Sequence, residues 1–238
     1  MESFTFSVDG QKLAAHLFAS PEHTGKKPGA LFIHGWMSGQ DRSFNIAEVL
    51  AQKGFVCLTF DMRGHGESEG DIEALTRKEF LQDVTTAYDE LAKRDDVDGA
   101  KITVIGSSFG SYLATLLSGE RAVHQLVLRV PSDYPDEGFT DRAVFDRLPN
   151  LDKWRTQTHE HTETKALTAI HKFQGRMLVV ESENDEQIPA ATVRNFVNAA
   201  PNPKLVTHYI QKGAPHSLKG YPEFTKEYEE IVVEWMGL

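Results

Sequence analysis

Short apolar runs alternate along this chain with stretches of helical periodicity. Residues 29–33, 55–60, 101–105, 125–130, 177–181 and 205–210 are each apolar enough to read as a strand. Runs this short, bounded by turn residues, fit strands covered on both faces. Between them, residues 43–54 place Ile46, Ala47, Val49 and Leu50 on one side of a helix. Residues 78–93 do the same with Phe80, Leu81, Val84, Ala87, Tyr88 and Leu91. Further helices are predicted at 111–117, 189–199 and 223–236. The N-terminus reads differently, as strands 4–8 and 12–19 joined through Asp9-Gly10. That dipeptide suits a two-residue hairpin turn, whose central positions need φ > 0. Strands alternating with helices predict an α/β fold, a mostly parallel sheet of about eight strands flanked by helices.

One segment breaks the rhythm. Residues 131–173 contain no strand-like run and are rich in charge, His and Thr, with helical pieces at 141–147 and 165–171. An insertion of that length is expected to be functional. The chain is therefore read as a core of residues 1–130 and 174–238 carrying a short cap at 131–173.

Charge narrows the partners. With 25 Lys and Arg against 35 Asp and Glu, the net charge is −10. That balance speaks against nucleic acid or an anionic membrane as the main partner, since both require clustered positive charge. The single cysteine, Cys57, excludes an intramolecular disulfide and points to a reducing compartment. Its place in Phe55-Val56-Cys57-Leu58 is that of a small core residue. Met1-Glu2-Ser3-Phe4 does not open a signal peptide, and no apolar stretch reaches the roughly 18 residues of a membrane span. A cytoplasmic protein acting on a small molecule is expected, and a homodimer is compatible with this composition. His159-Glu160-His161 has i,i+2 spacing without a third ligand, so no metal and no cofactor are expected.

The candidate chemistry centres on Gly106-Ser107-Ser108-Phe109-Gly110, between the strand at 101–105 and the helix at 111–117. A serine on so tight a strand-to-helix turn is lifted above the sheet edge. Glycine on either side admits the close backbone approach, and the following helix directs N–H groups towards charge developing there. Serine needs a base, usually a histidine held by a carboxylate. His216 follows the last predicted strand and Asp185 follows the one before it, so both fall at the carboxyl edge of a parallel sheet, where Ser108 also lies. Glu183, Glu186 and Asp133 are rival carboxylates. An oxyanion needs preorganised N–H donors. The backbone of Phe109 is one candidate and that of Trp36 the other, with Met37 as the alternative.

At this point the chain resembles the α/β-hydrolase superfamily along nearly its whole length. The resemblance rests on H-G-W-M-S-G at 34–39, D-M-R-G-H-G-E-S from Asp61, G-S-S-F-G, N-D-E-Q-I-P from Asn184, and P-H-S around His216, in the family's order. It implies a serine hydrolase, in compactness most similar to small esterases of the cinnamoyl or feruloyl type, acting through an acyl-enzyme. It also implies that Asp61, Arg63 and His65 brace the site. Thioesterase and peptidase chemistry on the same triad, C–C bond hydrolysis or perhydrolysis, and non-catalytic ligand binding are the alternatives. His34, Tyr134, Phe139, Phe145 and Trp154 are candidates for the substrate pocket; the cap aromatics could equally form the cap's own core, and His34 could brace its loop. Arg129, at the end of an apolar strand, is expected to form a salt bridge within the cap or to meet an anionic part of the substrate.

Overall fold

A computed structural model of the chain describes residues 1–22, 25–142, 148 and 150–238. Its elements begin with β1 (Glu2–Val8), β2 (Gln11–Ala19), β3 (Lys27–Ile33), α1 (Phe44–Gln52), β4 (Val56–Phe60) and α2 (Arg77–Ala92). There follow β5 (Val97–Ser107), α3 (Phe109–Ser118), β6 (Gln125–Arg129), α4 (Leu151–Arg155) and α5 (Lys165–Lys172). The chain then forms β7 (Arg176–Asn184), α6 (Ala190–Ala199), β8 (Val206–Pro215) and α7 (Pro222–Met236). The strands make one eight-stranded sheet in the order β1-β2-β4-β3-β5-β6-β7-β8. Pairing is antiparallel from β1 through β2 to β4 and parallel from there on. This is the mostly parallel α/β sheet that the alternation predicts.

Local chemistry accounts for the elements. Asp9 and Gly10, with φ of 50° and 80°, make the hairpin turn between β1 and β2. Helix α2 opens on a reciprocal cap: the Thr76 hydroxyl accepts from the Glu79 N–H, and the Glu79 carboxylate accepts from the Thr76 N–H. Its apolar stripe then buries Phe80, Leu81, Val84, Ala87 and Leu91 against the sheet. Each large side chain in such a stripe contributes about 1.5–3 kcal/mol relative to exposure.

Alternation along the strands divides the core in two. Leu31 and Ile33 of β3 face the α2 and α3 side, whereas Ala30 and Phe32 face the α1 and α7 side with Ile46, Leu50 and Val232. Cys57 lies in this second core, fully buried, and burial raises its thiol pKa, as befits a packing residue.

Two expectations are modified. Strands β5, β7 and β8 run past their predicted ends because their terminal residues are polar and carry no apolar signal, yet they still pair with neighbours. Within 131–173 the structure has α4, which polarity and brevity hid, while the helix expected at 141–147 lies largely outside the described residues. Helix α5 packs on α3 and α6 and places Ala166, Leu167 and Ile170 in the main core. Among the described residues no helix is long and apolar enough to cross a membrane.

Candidate active site

Parallel strands bring the ends of β3, β5, β6, β7 and β8 to one edge of the sheet, and each candidate residue follows one of those ends. Ser108 sits between β5 and α3 with φ 54° and ψ −117°, a conformation that a side chain rarely adopts. The turn is held by its own backbone. The Ser108 N–H donates to the Arg129 carbonyl at 2.9 Å, and its carbonyl accepts from the Ser111 N–H at 2.9 Å. A Cβ at Gly106 would lie 2.5 Å from the Gly110 carbonyl oxygen, which is why the turn is flanked by glycine.

The loop after β3 lies against this turn. A Cβ built on Gly35 would be 3.4 Å from the Ser108 Cβ. Two histidines brace the loop. The His34 ring donates through Nδ1 to the Gly35 carbonyl and accepts at Nε2 from the Met62 N–H. In parallel, His65 donates through Nδ1 to the Arg63 carbonyl and accepts at Nε2 from the Met37 N–H at 3.3 Å. These tautomers follow from the hydrogen-bond network. Burial, aided by the field of His65, lowers the His34 pKa to about 4, and burial lowers that of His65 as well. Both rings therefore stay neutral, as their acceptor roles require. Trp36 packs edge-on against His65, Phe80 and Phe109, each at 5.5 Å between ring centroids.

The Asp61 loop serves as a brace. Its carboxylate accepts from the Gln40 N–H, the Gln40 side-chain amide and the Glu67 N–H. Arg63 pairs with Asp83, a fully buried partner on α2 that the reading above did not single out; an acid inside the apolar stripe of that helix was the available signal.

His216 and Asp185 meet. The His216 Nδ1 lies 2.9 and 2.8 Å from the two Asp185 carboxylate oxygens, and their side chains are only 10% and 4% exposed. With Nδ1–H committed to the carboxylate, Nε2 is the nitrogen left to take a proton. Asp185 is itself fixed by the N–H groups of Gln187 and Ile188 at 2.8 and 2.7 Å. The rivals have other work. Glu183 binds Lys212 and the Gly213 N–H, and Glu186 accepts from the His216 backbone N–H.

Asp133 is buried and accepts from the Tyr134 N–H and the Thr164 hydroxyl. Burial, outweighing these two bonds, raises its pKa to about 7. A carboxyl whose folded pKa exceeds its unfolded value near 3.9 supports the fold most at acid pH, and that support is lost as pH rises through the folded value. Asp133→Asn keeps an acceptor for the Tyr134 N–H and removes the titration. From pH 5 to pH 8 its urea midpoint is expected to fall less than that of the wild type. Equal falls would mean that the carboxyl does not stay neutral inside the fold.

The remaining candidates fall as follows. Tyr134 belongs to the main core, between Tyr112, Phe109 and the Arg155 guanidinium. Phe139 lies under Arg77 and Lys165, and Trp154 stacks on His159 at 4.1 Å. Phe145 lies outside the described residues. His159 is buried and bound to Glu163 and the Trp154 carbonyl, so its ring closes the end of α4. Among the described residues no group of His, Cys, Asp and Glu could hold a metal ion. Among the described residues Arg129 forms no salt bridge with a cap carboxylate; its guanidinium turns along the sheet edge to Ser107, Ser182 and the Pro215 carbonyl.

Comparison with known proteins agrees with the fold. The family model described as serine aminopeptidase, S33, matches residues 26–144. An uncharacterized protein of Mycobacterium tuberculosis is 27% identical over 213 residues, which is 88% of this chain and 69% of that protein. The human mitochondrial palmitoyl-protein thioesterase ABHD10 is 36% identical over 130 residues, covering 52% of this chain but only 39% of its own length. Among solved structures, Est1E from Butyrivibrio proteoclasticus with ferulic acid bound superposes with a TM-score of 0.75 at 20% identity, over 99% of this chain and 100% of that one.

Proposed function

We propose that this chain, which belongs to the α/β-hydrolase family described as serine aminopeptidase, S33, cleaves carboxylic esters of small molecules through an acyl-enzyme on Ser108. The observation that carries this reading is the His216–Asp185 pair standing on the same sheet edge as the strained Ser108 turn. In the proposed sequence the Ser108 Oγ attacks the ester carbonyl while His216 Nε2 takes its proton. Asp185 stabilises the resulting imidazolium through Nδ1. The backbone N–H groups of Phe109 and Trp36 hold the oxyanion. Met37 is the weaker second donor, since its N–H is already given to His65. His216 then returns the proton to the departing alkoxide, and a water activated by the same nitrogen releases the acid. Residues 131–173 would act as the cap that selects the acyl group.

A thioester substrate is the second reading, supported by the identity shared with a palmitoyl-protein thioesterase. The same acyl-enzyme would form and a thiolate would leave. Treating the wild type with a fluorophosphonate probe and weighing the intact protein tests the nucleophile. One adduct is expected, on Ser108. A folded protein that takes up none would remove the catalytic reading. Comparing p-nitrophenyl esters with acyl thioesters of equal chain length then separates the two substrates.

A further inference from the structure

We propose that Arg129 is a positioning residue that locks the Ser108 turn, the Asp185 loop and the His216 loop into one unit, an inference that rests on the serine-hydrolase reading above. Strand β6 ends at Arg129, with Ser107 of β5 and Val180 of β7 as its lateral partners. Its carbonyl accepts from the Ser108 N–H and from the Ser111 hydroxyl, both at 2.9 Å, and so fixes the turn. From the same residue the guanidinium donates to the Ser182 hydroxyl at 3.0 Å and to the Pro215 carbonyl at 3.3 Å. The Ser182 carbonyl in turn accepts from the Asp185 N–H, and Pro215 adjoins His216. One residue thus reaches all three candidate loops, its carbonyl holding the Ser108 turn and its guanidinium holding Ser182 before the Asp185 loop and Pro215 beside His216.

The charge has a consequence beyond geometry. Arg129 is 5% exposed, its hydrogen bonds go to neutral oxygens, and its Nε has no partner among the described residues. Burying a cation on such terms is costly, and an apolar side chain of similar volume would pack the position without that cost. What an apolar residue could not supply is a positive field. Burial lowers the guanidinium pKa, and the fields of Tyr228 and Asp185 oppose that effect. Arginine nonetheless stays charged in proteins. A cation behind the Asp185 carboxylate offsets part of that carboxylate's pull on an imidazolium, so removing the charge is expected to strengthen that pull.

The other groups around this centre are accounted for. Asp185 holds the ring of His216, and Glu186 holds its backbone N–H. Tyr228 of α7 faces the guanidinium at 5.9 Å, and burial pushes its phenol up to about 12, so it is neutral over the range of the test. Glu229 lies beside Tyr228, Glu183 pairs with Lys212, and Glu181 pairs with His208.

The experiment compares wild type, Arg129→Lys and Arg129→Met by the pH dependence of the second-order rate of inactivation by a fluorophosphonate. The imidazole of His216 is titrated in parallel by NMR on histidine-labelled protein. Arg129→Met is expected to lower the plateau rate about 100-fold through misplacement. It should also move the acid limb, and the His216 titration with it, to higher pH by about half a unit to one unit. Arg129→Lys keeps the charge and loses the fork, so its plateau should fall while its limb stays with the wild type. A limb unmoved in a folded Arg129→Met protein would overturn the field, and an undiminished plateau in Arg129→Lys would overturn the lock. If Arg129→Met does not fold, Arg129→Gln takes its place with the same two readouts. Should the wild type resist the probe altogether, the serine-hydrolase reading fails by itself. The NMR titration then still decides whether Arg129 governs His216.

Discussion

Replacing Ser108 with alanine is expected to lower kcat for ester hydrolysis by about 10⁴- to 10⁶-fold, with KM little changed. His216→Ala should cost nearly as much, because an unactivated hydroxyl is a poor nucleophile at neutral pH. Asp185→Asn should cost about 10⁴-fold, since an amide at this position favours the wrong tautomer of His216. The double variant Ser108→Ala, His216→Ala should be hardly worse than either single one. Residues that move one proton in one step fail together, and their losses do not add. Independent contributions would instead multiply. Steady-state kinetics on a p-nitrophenyl ester checks this, with far-UV circular dichroism to establish folding. A Ser108→Ala protein that kept more than a tenth of the activity would place the nucleophile elsewhere.

The fold was legible wherever burial and polarity coincide. The strands at 29–33 and 125–130 and the α2 stripe bury apolar residues at their proper period, and that period is what a sequence carries. Structure without an apolar face stayed hidden. Helix α4 is a five-residue turn, too short for a period, and the ends of β7 and β8 are polar, with Glu183 tied to Lys212 and to the Gly213 N–H. The meeting of Asp185 and His216 was legible for a topological reason, since parallel strands deliver their following loops to one edge. Side-chain direction was not. Nothing in a linear chain says that Arg129 turns along the edge instead of into the cap, or that Asp133 is claimed by Thr164. Those choices depend on which partners lie within about 3 Å once the sheet is assembled.

Gly110→Ala is expected to be the most damaging single-methyl change in the chain, lowering stability by more than about 4 kcal/mol or preventing soluble expression. Its Cβ would fall on the Ile33 carbonyl oxygen and 2.5 Å from that of His34. Both are backbone atoms at the end of β3, a strand with parallel neighbours on each side, so neither can turn away as a side chain would. Relief would require the β5–α3 turn to lift from β3, breaking the Ser108 N–H bond to Arg129 and withdrawing the loop at Gly35 from Ser108. A useful contrast is Gly119→Ala, at the other end of α3, where the new methyl would meet the Leu116 carbonyl oxygen at 3.3 Å and a side-chain carbon at 3.5 Å. That protein should fold with a loss of about 1 kcal/mol or less. Urea denaturation of the two variants side by side makes the comparison. Similar midpoints would mean that the turn around Ser108 tolerates a methyl group, and the close approach that positions the nucleophile would have to be looser than described.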